Sequence, residues 1–428
     1  MKIIIKGGRV IDPKTNLDKV TDVYINDGII EKIAENIDVS DAEIIDAKGK
    51  IVAPGLVDMH CHLRDPGYEY KEDIESGTRS AAKGGFTSVA CMPNTDPVID
   101  NAPLAQFVIN KAKQVGKVNV YPIGAISKGL KGEQLADIGE LKFAGVVGVS
   151  DDGCPVNSSS LMRRAMEYAK MFETLVISHC EALDMLDEGV MNEGYTSTFL
   201  GLKGINSAVE EIQVARDVIL SEKTDTPIHI CHVSTVGSVE IIRQAKKKGL
   251  KVSCETCPHY FTLTEEACIG FDTNAKMNPP LRTQKDLEAI IEGLADGTID
   301  AIATDHAPHH VDEKNLEFNE AKNGIVGFET ALGLGYTYLV KTGKLTLNEF
   351  IKKMTANPAN LLGLNKGTIE EGKTADIVVI DTENEYEVKV SDFESKAKNS
   401  PYDGYKLFGR AQTTIVDGKI VLNNGQIL

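Results

Sequence analysis

No run of 18 apolar residues occurs in this chain, so no membrane-spanning helix is expected. The opening residues, Met1-Lys2-Ile3-Ile4-Ile5-Lys6, hold only three consecutive apolar side chains. They have neither the apolar core nor the cleavage site of a secretory signal, and none is expected. Basic residues are in deficit: 46 Lys+Arg stand against 63 Asp+Glu, a net charge of −17. That balance argues against nucleic acid and against an anionic membrane surface as partners. The eight cysteines are scattered, and Cys254-Glu255-Thr256-Cys257 has no second pair to complete a zinc ribbon. They read as reduced thiols of a cytoplasmic protein, mostly buried in strands. Solenoid repeats and low-complexity tracts are also absent.

What remains is an ordinary globular composition, 42% hydrophobic and 25% charged over 428 residues. The length suits a barrel of roughly 250 residues plus a smaller unit. Asp27-Gly28 and Asp417-Gly418 each sit between β-branched runs, a strong hairpin signal at both ends of the chain. Residues 1–52 and 365–428 are therefore expected to form one discontinuous β-sandwich domain. Residues 53–364 alternate short apolar runs with helical patterns, which predicts βαβ units and a parallel sheet. Strands are expected at 54–60, 86–91, 118–124, 145–150, 174–179, 227–232, 250–255 and 299–304. Eight such strands suggest a (β/α)₈ TIM-like barrel, giving an α/β fold. Helices are expected from Pro103 to Val115, with Leu104, Phe107, Val108, Ala112 and Val115 on one stripe, and from Ser238 to Lys248, with Val239, Ile242 and Ala245 inward.

In a barrel of this kind, polar residues at the C-terminal strand ends carry the chemistry. The first strand ends in His60-Cys61-His62, and residues two apart project to one face. The fourth runs into Ser150-Asp151-Asp152, the fifth ends in His179, the sixth in His232 and the eighth in Asp305. Any one of these alone is more simply a hydrogen-bonded core residue. Convergence from five strand ends makes that explanation poor for the set. Strand parity favours Asp152 over Asp151 without deciding between them, and turns His229 and His306 away from the centre. His259 is left open. Asp58 shares parity with His60 and is either a partner for an imidazole or a carboxylate facing elsewhere. Imidazole and carboxylate ligands suit zinc, and six of them suit two ions sharing a bridge.

Longer motifs carry a resemblance. Pro54-Gly55-Leu56-Val57-Asp58-Met59-His60-Cys61-His62 is similar to the first-strand signature of the amidohydrolase superfamily, as is Asn357-Pro358-Ala359 with Gly367-Thr368-Ile369-Glu370-Glu371-Gly372. More narrowly the chain resembles the class I dihydroorotases, through His60 to Gly67, Met92-Pro93-Asn94-Thr95, Ser150 to Gly153, Asn278-Pro279-Pro280-Leu281-Arg282 and Asp305-His306-Ala307-Pro308-His309. The resemblance implies that His60, His62 and Asp305 hold one zinc, that His179 and His232 hold a second, and that Asp152 bridges them. It further implies that Arg64, Asn94 and His309 receive a substrate carboxylate, that Asn278 contacts the ring, and that Asp305 shuttles a proton. The activity implied is reversible hydrolysis of dihydroorotate, a small anion, to N-carbamoyl-aspartate in pyrimidine synthesis. Relatives acting on hydantoins, dihydropyrimidines or allantoin bridge their metals with a modified lysine, and no lysine ends the fourth strand, the nearest being Lys142. Another cyclic amidase, or an inactive scaffolding homologue, are the alternatives. A homodimer, or association with aspartate transcarbamoylase, is implied at family level only. Residues 311–327, charged and glycine-punctuated, suit either a mobile lid or a plain surface loop.

Overall fold

The computed structural model describes residues 1–428. Eight short parallel strands run through its middle: β1 (Leu56–Cys61), β2 (Phe86–Cys91), β3 (Asn119–Pro122), β4 (Gly148–Val149), β5 (Leu175–Ser178), β6 (Ile228–Ile230), β7 (Val252–Thr256) and β8 (Ala301–Ile302). The first three pair in sequence order, and so do the last five. Two parallel bridges, Gly124 to Val149 and Cys61 to His306, connect the sheet edges. Strands buried on both faces read as continuous apolar or small residues, as Phe86-Thr87-Ser88-Val89-Ala90-Cys91 does. The regular ladders of β4 and β8 are shorter than their apolar runs. Backbone bonds continue past them, Ser150 N to Gly124 O and Ala303 N to Thr256 O, outside the regular pairing.

Helices cross between the strands, and their ends are written in the sequence. Asp73 and Ser76 form a capping box at the start of Ile74–Lys83, and Thr283 with Asp286 does the same for Gln284–Asp296. Asn101 caps Ala102–Val115, which has a proline in its first turn. The buried stripe of that helix is Ala105, Val108 and Ala112. Phe107, expected inward, is exposed and lies beside the Lys111 ammonium, 5.7 Å from its ring centroid. An i, i+3, i+7 stripe of small residues lets the helix sit close to the sheet, and Phe107 falls on its flank. In Val236–Lys247, Val239, Ile242 and Ala245 are buried.

The chain ends share one nine-stranded sheet, in which Ile51–Pro54 pairs with Ile377–Asp381 on one side and with Lys2–Asp12 on the other. Both Asp-Gly turns place both residues at positive φ, 48° and 84° at Asp27 and Gly28, 48° and 74° at Asp417 and Gly418. That is the two-residue hairpin geometry whose twist matches its strands. Ile3, Ile5, Val23 and Ile25 pack with Ile377, Val379 and Ile415 to form its core. Ile51–Pro54 is followed, after Gly55, by β1, so the terminal sheet anchors the strand that carries the histidine pair.

Candidate metal centre

His60, at the end of β1, and His62, one residue beyond it, place their ring centroids 5.5 Å apart. Asp152, past β4, lies between four imidazoles. Its Oδ1 is 3.5 Å from His60 Nε2, 3.4 Å from His179 Nδ1 and 3.6 Å from His232 Nε2, while its Oδ2 is 3.5 Å from His62 Nε2. Asp305 Oδ1 is 3.1 Å from His62 Nε2 and 3.6 Å from His60 Nε2. All six sequence-predicted ligands therefore meet in one buried cluster.

The donor set fits divalent metal. Nitrogen and oxygen atoms of His60, Asp152 and His232, joined by Cys231, lie within 4.8 Å of one another, as do those of His60, His62 and Asp305. His60 Nε2 and Asp152 Oδ1, which face one another across the cluster, are buried without a hydrogen-bond partner. Buried polar atoms lacking partners are costly, and a cation among them satisfies them. Burial alone would raise the Asp152 carboxyl, but His60, His179 and His232 outweigh it and hold it well below the usual carboxylate range. Asp305 is held low in the same way by His60 and His62. Three site residues, Arg64, His232 and Asp305, have positive φ of 60°, 30° and 45°. Non-glycine residues rarely adopt this conformation, and it clusters at functional sites.

The undecided choice between neighbouring aspartates resolves toward Asp152. Asp151 turns away, its Oδ1 accepting from Ile126 N at 2.8 Å and Ser127 N at 3.0 Å. Burial pushes its carboxyl up to about 6 against those bonds. Asp58 is no imidazole partner: its Oδ1 accepts from Thr304 N at 3.0 Å and His60 N at 3.2 Å, and its Oδ2 from Thr304 Oγ1 at 2.5 Å. It joins β1 to the segment after β8 instead. His306 stacks on Phe328, 4.1 Å between centroids, outside the cluster. His259 is buried near Asp305 and Cys257, where burial pushes its imidazole down to about 3. Cys254 and Cys257 are both free, buried thiols.

Periodicity missed Glu255 on β7. Its Oε1 lies 2.7 Å from His60 Nδ1 and its Oε2 3.3 Å from His229 Nε2. Burial would raise its carboxyl, but the two imidazoles lower it to about 2. The signal was available, because a carboxylate inside an apolar strand demands a cationic or donating partner. Glu181 was missed too. Its Oε2 is 3.4 Å from His179 Nε2 and its Oε1 accepts from Asn278 Nδ2 at 2.9 Å.

A cavity of about 400 Å³ opens over the cluster, lined in part by Arg64, Lys71, Asn94, Asn278, His309 and Lys322. Arg64 Nε donates to Pro308 O at 3.2 Å, and its Nη2 is 3.4 Å from His309 Nε2. Burial and the adjacent guanidinium keep the His309 imidazole neutral by lowering it strongly. Asn94 Oδ1 lies 2.9 Å from His62 Nδ1. All four sequence-predicted recognition residues thus line the wall above the imidazole–carboxylate cluster.

Known proteins match this arrangement over the whole chain. The Dihydro-orotase-like family matches residues 49–238, and the Amidohydrolase family residues 282–422. A dihydroorotase of Acetivibrio thermocellus is 65% identical over 426 residues, covering 100% of both chains. The chain belongs to the dihydroorotase family. A second dihydroorotase, of Ruminiclostridium cellulolyticum, is 63% identical over 428 residues and again 100% of both chains. Among solved structures, the L-hydantoinase (dihydropyrimidinase) of Arthrobacter aurescens superimposes with a TM-score of 0.90 at 27% identity, covering 100% of this chain and 97% of that one. Dihydroorotases and hydantoinases therefore share this α/β fold of the TIM-barrel type of metal hydrolase. The present chain is a cyclic amide hydrolase of that superfamily. Its strand-4 end carries Asp152 where a bridging lysine was the rival expectation, and Lys142 lies on the helix Ile138–Ala144.

Proposed function

We propose that the protein reversibly hydrolyses (S)-dihydroorotate to N-carbamoyl-L-aspartate, as a step of pyrimidine synthesis in the cytoplasm. The observation that carries this reading is one cavity in which an imidazole–carboxylate cluster lies beneath a half-buried guanidinium. Arg64 offers a planar fork that grips a carboxylate with two bonds, and His309 and Asn94 complete its surroundings. Asn278, oriented by Glu181, faces the ring. His60, His62 and Asp305 would hold one zinc, His179 and His232 the other, with Asp152 shared between them. Bound divalent ions supply Lewis-acid activation of water and of the amide carbonyl. Asp305, as an anion, accepts the proton released when water adds to that carbonyl. It returns the proton to the ring nitrogen as the C–N bond breaks, so that acid and base are one group. The same reading takes residues 53–364 as a (β/α)₈ barrel, supported by the two bridges that link its sheet edges. It takes 1–52 with 365–428 as a discontinuous β-sandwich domain, supported by strand pairing between the two ends.

Metal analysis combined with an assay on N-carbamoyl-aspartate tests the proposal. About two zinc ions per chain are expected in a site of this donor set, with activity lost on chelation and restored by zinc. Full activity with fewer than one metal per chain would sink it. A substrate panel separates the hydantoinase alternative: faster turnover of a neutral hydantoin than of dihydroorotate would remove the argument from Arg64.

Glu255 supports the first metal position by fixing the His60 ring through Nδ1. Glu255→Gln keeps the shape and removes the charge. It is expected to weaken metal binding by about 10–100-fold, the usual cost of losing a carboxylate behind a ligating histidine. Competition against a chelator of known affinity measures this, and unchanged affinity would show that Glu255 serves only His229.

A further inference from the structure

Two buried lysines beside the cavity have no carboxylate in salt-bridge contact, and burial lowers both ammonium groups, Lys314 to about 7 with Lys276 beside it. Lys276 and Lys314 are each only 4% exposed. Lys276 Nζ donates to Asn319 O and Ala321 O, both at 2.8 Å. Lys314 Nζ donates to Lys322 O at 2.8 Å and Gly324 O at 3.2 Å. Four carbonyls of one short segment, 319–324, therefore point at two buried ammonium groups. Further bonds converge on the same segment. Gly324 N donates to Lys276 O at 2.9 Å and Lys322 N to Glu313 O at 3.2 Å, while Asn399 Nδ2 donates to Gly324 O at 3.0 Å. Gly324 has a φ of 143°, and a Cβ there would fall 2.7 Å from Ala307 O. The segment packs flush against the strand-8 loop that carries His309.

Lys322, Asn323 and Gly324 line the cavity above the metal cluster. Residues 319–323 also line an adjoining cavity of about 450 Å³, which shares Met277 and Asn278 with the first. A methionine would fill the space of either lysine without placing a charge out of water. The ammonium groups therefore act through the carbonyls that they hold. A bond from a protonated amine is roughly twice as strong as a neutral one.

We propose that Lys276 and Lys314 are positioning residues that clamp 319–324 as a fixed wall of the substrate cavity, so that the ring of the cyclic amide meets a preformed surface rather than a closing lid. The inference rests on the cavity being the substrate site. Its structural part stands apart from the identity of that substrate.

Hydrogen exchange of the metal-loaded full chain tests it first. Peptides covering 317–327 should be protected before any ligand is added, with little change on adding N-carbamoyl-aspartate. Protection that appears only with ligand would make the segment a lid and overturn the proposal. Lys314→Met and Lys276→Met, made separately, should each speed exchange of that segment by about tenfold or more while the strands stay as slow as before. Preorganisation lost from the wall should raise KM by roughly tenfold with kcat within about threefold and metal content unchanged. Unchanged exchange at 317–327, or a uniform rise across the chain, would refute the clamp, and the wild-type measurement decides if neither variant folds. Should the chain fail to turn over dihydroorotate while the exchange results hold, the substrate assignment fails and the clamp survives.

Discussion

Replacing Asp305 with alanine is expected to lower kcat by about 10²–10⁴, the contribution of a positioned general acid–base group. The expectation rests on where the carboxylate is held. Asp305 follows β8, its backbone N donates to His60 O at 3.0 Å, and its φ of 45° turns its Oδ1 into the cluster beside His62. Burial opposes its ionisation, the imidazoles outweigh burial, and the group stands ready as an anion. Because Asp305 also belongs to the His60–His62 group of ligand atoms, metal content must be measured on the same sample. The expected result is a slow enzyme that still holds metal at the His179–His232 position. A loss of less than tenfold with metal retained would reject the proton-transfer role.

Arg64→Met is the second change with a large expected effect. Truncating one partner of a buried, hydrogen-bonded charge pair costs about 2–5 kcal/mol. At 1.4 kcal/mol per decade this is roughly a 30- to 4,000-fold fall in kcat/KM for dihydroorotate. The loss should be selective. A neutral ring such as dihydrouracil presents no carboxylate to the guanidinium, so any turnover of it should change little. The ratio of the two rates therefore reports the clamp better than either rate alone. Arg64→Lys should recover part of the loss, since an ammonium restores the charge without the planar fork. An equal fall for both rings would mean that Arg64 supports the Pro308–His309 loop rather than reading the substrate.

The arrangement also accounts for anionic recognition by a strongly acidic chain. The net charge of −17 acts at long range, where salt screens it over roughly 8 Å. Inside the cavity Arg64, Lys71 and Lys322 face the substrate space, and local groups decide the field there. Lys71 is held at 2.8 Å from Glu313, and burial lowers its ammonium despite that carboxylate.

Much of the candidate site was legible because its signals are local. His60 and His62 are two residues apart on an extended segment, and that spacing alone sets them on one face. The same parity separated His232 from His229 and leaned toward Asp152, but the choice against Asp151 waited for the structure, where Asp151 accepts from Ile126 N and Ser127 N. The Asp-Gly turns declared both terminal hairpins. Parity failed where the partner lay in another strand. Asp58 and His60 share a face, yet Asp58 binds Thr304, 246 residues away, and the carboxylate on the His60 ring is Glu255, 195 residues away. Likewise Phe107 fitted a helical stripe but sits outside it, because the close packing of Ala105, Val108 and Ala112 chose the buried face.

The sequence by itself thus determined which residue types stand at the strand ends, and hence the chemistry available. Tertiary structure alone decided which groups answer one another: Glu255 with His60, Glu181 with Asn278, and two lysines with the carbonyls of 319–324. The physical reason is that periodicity encodes the direction of a side chain from its own backbone. A buried charge, by contrast, is satisfied by whichever distant segment the fold brings within about 3 Å.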